Sequence, residues 1–226
     1  MRYSNIHEAT FLRRPNRFIA QVLLDGREET VHVKNTGRCR ELLVPGTQVY
    51  LVQSDNPHRR TAYDLVTVRK GERLINMDAQ VPNHILAEYL PGSHLFPNPI
   101  QVTPEYTHGD SRFDFLVKEG DRLHLIEVKG VTLEQDGLAK FPDAPTERGV
   151  KHIYGLIRAR EEGFEGWLIF VVQMEGIHTL TPNDETHPAF GTALREAAQA
   201  GVHIRALGCH VEPDGAEITY DIQVSL

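Results

Sequence analysis

Residues 111–130, SRFDFLVKEGDRLHLIEVKG, hold the pattern on which the fold and the chemistry of this chain turn. Two apolar-rich runs, 113–117 and 123–128, flank Lys118-Glu119-Gly120-Asp121, a turn signal with a glycine free to take positive φ. The pattern predicts an antiparallel hairpin. Pairing Lys118 with Asp121 sets Asp114 opposite Leu125 and diagonal to Glu127. Side chains alternate along a strand, so Glu127 and Lys129 share a face about 7 Å apart. Diagonal neighbours roughly 7–8 Å apart bring Asp114 to the same place. Phe113, Phe115, Ile126 and Val128 fall on the other face and suit a core. Leu116 and Leu125 partly cover the charged face too, and covered charges are rarely left without a partner or a metal. A structural ion pair is the plain alternative, but Lys129 offsets only one of the two carboxylates, which favours a cation site.

The chain has 226 residues, 40% of them hydrophobic and 24% charged, which is ordinary for one large or two small globular domains. Arg2, Glu8, Arg13, Arg14 and Arg17 interrupt any leader-like run, and the longest apolar stretch, 167–172, is too short to span a bilayer. A soluble, cytoplasmic protein without membrane contact is expected. Cys39 and Cys209 are isolated, and the 12 histidines show no HExxH spacing, so a structural zinc site is not indicated. The net charge of −7 is unevenly spread: residues 1–82 hold 13 Lys or Arg against 9 Asp or Glu, the remainder 11 against 22. The split predicts two modules, 1–82 and 83–226. Bound cations would offset part of the acidity of the second, although plain solubility charge explains an acidic domain as well.

Residues 10–82 read as short strands with turn punctuation. Runs 18–24 and 29–33 flank Asp25-Gly26, run 47–52 follows Pro45-Gly46, and runs 61–69 and 73–79 flank Lys70-Gly71. With one short helical stretch at 38–43, this predicts a small OB-type β-barrel. Between the early strands lies Lys34-Asn35-Thr36-Gly37-Arg38-Cys39-Arg40. Its glycine lets backbone approach a ligand, and Arg38 and Arg40 are bidentate phosphate donors. Lys34, Asn35, Arg38 and Arg40 are therefore candidates for gripping a nucleic-acid backbone, with Arg13, Arg14, Arg17, Arg59 and Arg60 as neighbours. Ordinary surface arginines would look the same. Aromatics here are few (Phe11, Phe18, Tyr50, Tyr63), so strong base stacking is not indicated.

In the second module a helix at 83–90, capped by Asn83, carries Glu88. An irregular connection is expected at 133–145. Thr146 then caps a helix reaching about residue 162, with Val150, Ile153, Tyr154 and Ile157 as its buried stripe. Arg148, Lys151 and His152 lie in its first two turns, within reach of phosphate beside the hairpin. A buried strand at 167–173, a helix at 187–200, and strands at 202–209 and 217–224 complete a mixed α/β domain.

Helix, hairpin, helix and strand with Asp114 and then Glu127-Val128-Lys129 resemble the PD-(D/E)XK nuclease superfamily, although Phe113 stands where that name has proline. The segments HVKNTGRCRELLVPG, GDSRFDFLV, LIEVKGVTLE and FPDAPTERGVKH together resemble the sugar fermentation stimulation protein A family over nearly the whole chain. The resemblance implies an N-terminal OB-like domain, a C-terminal restriction-endonuclease-like domain with a central mixed sheet flanked by helices, and DNA binding without strong sequence specificity. It also implies a regulatory link to sugar, notably maltose, metabolism, and the main-chain carbonyl of Val128 as a metal ligand. Asp114 and Glu127, with Glu88 as a further candidate, would hold Mg²⁺ or Mn²⁺ for phosphodiester hydrolysis, and Lys129 would orient water or meet the phosphate.

Three functions are compatible with these residues: a metal-dependent nuclease (hydrolase), a DNA-binding regulator with a silent nuclease fold, and an interaction scaffold that does not touch nucleic acid. No helix-turn-helix pattern is evident. A homo-oligomer is left open.

Overall fold

The computed structural model describes residues 1–35, 37–98 and 100–226; Thr36 of the arginine loop and Pro99 lie outside the described residues. The first sheet is built from β1 (Ile6–Asn16), β2 (Ile19–Leu24), β3 (Arg27–Val33), β4 (Gln48–Gln53), β5 (Tyr63–Lys70) and β6 (Arg73–Asn76), ordered β3-β2-β1-β4-β5-β6. Asp25 and Gly26 both take positive φ, 48° and 75°, the conformation a two-residue hairpin between β2 and β3 requires. Strand β3 also pairs in parallel with β5 through His32↔Asp64 and Val33↔Leu65. That contact closes five strands into an OB-like barrel, filled by Phe11, Val22, Val31, Val49, Leu51 and Leu65.

Two expectations for this half fail for local reasons. Strand β1 is absent from the sequence pattern because only Ala9 and Phe11 of its eleven residues are buried. Residues 38–43 form turns, not a helix. Cys39 sits at φ 45°, outside the right-handed helical region, and Leu42 and Leu43 N–H both fold back to its carbonyl (3.2 and 2.9 Å).

The second sheet follows α1 (Val81–Tyr89). Its strands are β7 (Ile100–His108), β8 (Ser111–Glu119), β9 (Arg122–Val131), β10 (Glu134–Gln135), β11 (Leu138–Phe141), β12 (Glu165–Val172), β13 (Thr179–Pro182), β14 (His203–Glu212) and β15 (Gly215–Val224). Helix α2 (Glu147–Glu161) precedes β12, and α3 (Pro188–Gln199) precedes β14. The strand order is β10-β11-β13-β15-β14-β12-β9-β8-β7. Central β12 runs parallel to both β9 and β14, and every residue of it after Glu165 is buried. One apolar cluster lies under α2 and α3, and another under α1. The connection expected to be irregular at 133–145 instead holds β10 and β11. Asp136 and Gly137, at φ 52° and 81°, turn between them, and strands of two and four residues are too short for alternation to show.

The two halves are stitched together. Arg2 bridges to Gly215, so the first residues join the second sheet, and Ile75 bridges to Met174. Gln173, 2% exposed, donates from Nε2 to Asn76 Oδ1 and to the Asp78 carbonyl, each at 3.1 Å.

Barrel closure has a charged latch. At the closing pair Asp64 Oδ1 accepts from His32 Nδ1 (2.9 Å), and Arg59 donates to both carboxylate oxygens (2.8 and 2.6 Å). Burial pushes the Asp64 pKa up, but the hydrogen bonds from Arg59 and His32 outweigh it and hold the carboxyl below its usual range. A depressed carboxylate contributes stability that is present above its unfolded pKa and lost as pH falls through its lower folded value. Asp64→Asn is therefore expected to lose about 1–3 kcal/mol at pH 7 in urea unfolding, with the gap to wild type shrinking between pH 5 and pH 2.

Candidate active site and nucleic-acid interface

The hairpin of β8 and β9 pairs from Glu119↔Arg122 to Phe115↔Ile126. Its turn is Gly120-Asp121, with Gly120 at φ 59°, so the register lies two residues from the expected Lys118–Asp121 pairing. An even shift keeps the same side chains on each face. The ladder stops one step short of Asp114. Beyond it, the Val128 N–H donates to Asp114 Oδ2 at 2.7 Å, a side-chain acceptor in place of a ladder partner. The departure of β8 also separates the expected apolar face. Phe115, Ile126 and Val128 pack with Ile85 and Leu86 of α1, whereas Phe113 joins Leu125, Ile153 and Leu156 under α2.

Each acid has a helix behind it. Asp114 Oδ1 accepts from Asn83 Nδ2 at 2.7 Å. Asn83 is not the cap of α1, which begins at Val81; it stands in the first turn and reaches across to β8. Glu127 is 3% exposed, and its Oε1 accepts from both Lys129 Nζ and His152 Nδ1. Its Oε2 is buried with no hydrogen-bond partner among the described residues. Helix α2 starts at Thr146, whose hydroxyl accepts from Gly149 N–H (3.1 Å), as its sequence predicts. The buried stripe runs through Gly149, His152, Ile153, Leu156 and Ala159, with Val150, Tyr154 and Ile157 only half-buried beside it. That rotation aims His152 at Glu127. Arg148, one turn earlier, donates from Nε to His152 Nε2 (3.4 Å). With Nε2 accepting, a neutral ring carries its proton on Nδ1 and gives it to Glu127.

The two acids are pushed apart electrostatically. Burial raises the Asp114 pKa, the charge of Glu127 raises it further, and the bonds from Val128 and Asn83 offset this only in part. Burial acts the same way on Glu127, but His152 and Lys129 overcome it and leave the carboxyl below its usual range. Opposite shifts on adjacent acids are the charge arrangement by which a candidate site is recognised, and structural ion-pair networks share it.

The fit to a divalent cation rests on the donor set. Two carboxylates and neighbouring main chain supply hard oxygen ligands of the kind Mg²⁺ and Mn²⁺ take, and the Glu127 Oε2 is an open buried acceptor. Among the described residues no group of three or more His, Cys, Asp or Glu side chains is placed to hold a metal, so further ligands would come from main chain and water. Glu88 is not brought to this place; it is exposed and paired with the amino group of Met1 at 2.7 Å. Asn83, not Glu88, is the α1 residue that meets Asp114.

The barrel loop is organised by Arg14, which donates to the carbonyls of Gly37, Arg38, Arg17 and Asn35 at 2.6–2.9 Å. Lys34 pairs with buried Asp78 (2.6 Å), and Asn35 donates to the Met77 carbonyl and accepts from Gly37 N–H. Both candidates are thus spent on internal bonds. Arg38 and Arg40 are exposed and line a basic hollow of about 380 Å³ with Arg14 and Arg17. Beside it the Arg17 guanidinium lies 4.8 Å from the ring centre of Phe18, which is 44% exposed. Lys151 donates to the Asp110 carbonyl (2.9 Å) and does not join Glu127. The missed members are Asn83, as the partner of Asp114, and His152, as the partner of Glu127. For His152 the signal was a polar residue within a helical apolar spacing.

Because burial and the charge of Glu127 both disfavour the ionised form of Asp114, Asp114→Asn is expected to raise the melting temperature of the metal-free protein. The gain is a few degrees, since about 1 kcal/mol corresponds to roughly 2–4 °C at this size. The Asn83 amide can turn over to accept from the new amide, preserving the contact. Calorimetry with and without Mn²⁺ checks both sides: wild type is expected to gain stability from the ion, and the variant to gain none.

No helix among the described residues is long and apolar enough to cross a membrane. Residues 80–215 match the family described as the sugar fermentation stimulation protein RE domain, and residues 12–77 match the SfsA N-terminal OB domain. A sugar fermentation stimulation protein homolog from Desulfitobacterium hafniense (strain Y51) is 54% identical over 226 residues, covering 100% of this chain and 99% of that protein. A homolog from Ruminiclostridium cellulolyticum is 49% identical over 226 residues, with 100% of each covered. Among solved structures, that of Pyrococcus furiosus SfsA in complex with Ca²⁺ is similar with a TM-score of 0.88 and 28% identity, over 100% of this chain and 98% of that one. The chain therefore belongs to the sugar fermentation stimulation protein (SfsA) family.

Proposed function

We propose that the protein binds DNA and hydrolyses its phosphodiester bonds with the help of Mg²⁺ or Mn²⁺ held by Asp114, Glu127 and the Val128 carbonyl. The observation that carries this reading is the Glu127 Oε2, buried without a partner among the described residues next to a second, half-buried carboxylate. A hard divalent ion satisfies that oxygen and cancels the repulsion. The similar Pyrococcus protein has been described in complex with Ca²⁺, an oxygen-loving ion of the same class. When bound, such an ion lowers the pKa of a water and neutralises charge on the phosphate under attack.

The chain's own residues supply the rest. Lys129 already rests on Glu127; from there its ammonium is placed to meet a non-bridging phosphate oxygen. His152, steadied by Arg148, fixes the Glu127 carboxylate through Oε1 and leaves its second oxygen unpaired among the described residues. On the barrel, Arg38 and Arg40 hold the nucleic-acid backbone, together with Arg17. These exposed arginines also favour a second reading, binding without cleavage, because they lie outside the acidic site.

Mg²⁺ and Mn²⁺ titrations over linear, supercoiled and single-stranded DNA, and over RNA, test both. Cutting is expected with either ion, and Lys129→Ala should lower it by at least about 100-fold without unfolding the protein, although loss of the pair with Glu127 lowers its melting temperature. Arg38→Ala and Arg40→Ala are each expected to weaken binding and reduce the salt slope by about one. Binding without any cutting would leave the second reading standing and end the first. An unchanged salt slope in both arginine variants would remove the barrel from the interface.

A further inference from the structure

A cleft of about 290 Å³ opens where the barrel meets the second sheet, lined among others by Asn35, Gly130, Thr132, Asp143, Thr146 and Gln173. It adjoins the acidic site at two points: Gly130 follows Lys129 directly on β9, and Thr146 caps the helix that carries Arg148 and His152. Gln173 is the telling residue. Its Nε2 donates to two acceptors, Asn76 Oδ1 and the Asp78 carbonyl, so the orientation of the amide is fixed and Oε1 is the outward atom. Its main chain is pinned as well, through Val131 and Asn76. No donor reaches Oε1 among the described residues. A Cβ on Gly130 would stand 2.6 Å from that oxygen and 2.7 Å from Pro82 Cγ. Glycine therefore keeps the wall bare in front of it.

The cleft asks for a group with an N–H edge. A phosphate is a poor match, because the fixed Gln173 oxygen is an acceptor, the Asp143 carboxylate stands on the rim, and the lysine of the lining, Lys140, is engaged by Gln135 Oε1 at 2.8 Å. The volume falls near the lower end of small-molecule pockets, about 300–1,000 Å³, which suits one planar ring and excludes a duplex. We infer that the cleft receives one unpaired nucleobase of the strand whose phosphate lies at Glu127 and Lys129, so that the substrate is single-stranded or frayed nucleic acid. This inference rests on the nucleic-acid reading above. A base inside a duplex has to be unstacked and unpaired first, at a cost of a few kcal/mol, and that penalty sets the preference.

Fluorescence anisotropy in Ca²⁺ compares a 12-nucleotide single strand, its duplex, an abasic strand of equal length that keeps every phosphate, and free mononucleotides. The normal strand is expected to bind at least about 10-fold more tightly than the duplex, the smallest effect consistent with an unstacking cost above 1.4 kcal/mol, and at least about 10-fold more tightly than the abasic strand, which has no base to seat in the cleft. Mononucleotides should compete weakly, since they bring the base without the flanking phosphates. Gly130→Ala, which crowds the Gln173 oxygen, should erase the preference for the normal strand. Pro145→Trp at the exposed rim should do the same by plugging the opening, and it provides the answer if Gly130→Ala melts early. Equal binding of normal and abasic strands, or of single strand and duplex, overturns the inference while leaving nucleic-acid binding intact. Absence of binding to every probe overturns the nucleic-acid reading itself, and mononucleotides competing as well as the strand would make the cleft a free-nucleotide site instead.

Discussion

A buried carboxylate beside a half-buried one, with a single lysine bonded to the first, is the constraint on which this structure turns. Asp114 and Glu127 are each drawn out of water; hydrogen bonds and counter-charge outweigh that burial at Glu127 but not at Asp114. Burying charge is unfavourable unless hydrogen bonds and counter-charge offset it. Four residues from three elements provide that compensation: Asn83 from α1, His152 from α2, and Val128 N–H and Lys129 from β9. One oxygen is still left over among the described residues. A purely structural ion pair would have closed that gap with another donor; the folded protein instead keeps it open.

The surrounding architecture explains how such a place is held. Strand β9 lies inside the sheet, between β8 and β12, so Glu127 is anchored by backbone pairing to Leu168 on one side, while its neighbour Ile126 pairs with Phe115 on the other. Strand β8 lets go of β9 at the point where Asp114 is needed, and the acid's own side chain takes over the Val128 N–H. The site thus sits at a local break in an otherwise continuous ladder, with helices on either face supplying polar arms. The barrel is not a loose attachment. Gln173, Asn76 and the Ile75–Met174 bridge tie it to the sheet, which places its arginine loop and the acidic site on one connected body.

Much of this was legible in the residues. The alternation around Asp114 and Glu127-Val128-Lys129 placed three charges on one hairpin, and Asp25-Gly26 and Thr146 marked a turn and a cap that form as expected. The hairpin register was misplaced by two because Glu119-Gly120 and Gly120-Asp121 are both plausible turns. Gly120, the residue that takes positive φ, belongs to both, and only the backbone shows whether it stands first or second in the turn. Strand β1 escaped notice because its buried positions are too few, and β13 because four residues carry no period. Long-range partners were the least visible. Asn83 looked like a cap and Lys34 like a phosphate ligand, yet each is bound to an acid distant in sequence, Asp114 and Asp78. Local pattern says what a residue can do; only tertiary contact decides which partner it meets.

The central claim is that the open Glu127 oxygen and Asp114 together receive a divalent ion. Anomalous diffraction from crystals soaked in Mn²⁺ addresses it directly. A peak at coordination distance, about 2.0–2.2 Å as for an octahedral Mg²⁺-type ion, from Asp114 and from the second oxygen of Glu127 is the predicted result. A soaked crystal with no peak there, or with manganese bound only at other acidic side chains, would contradict the account.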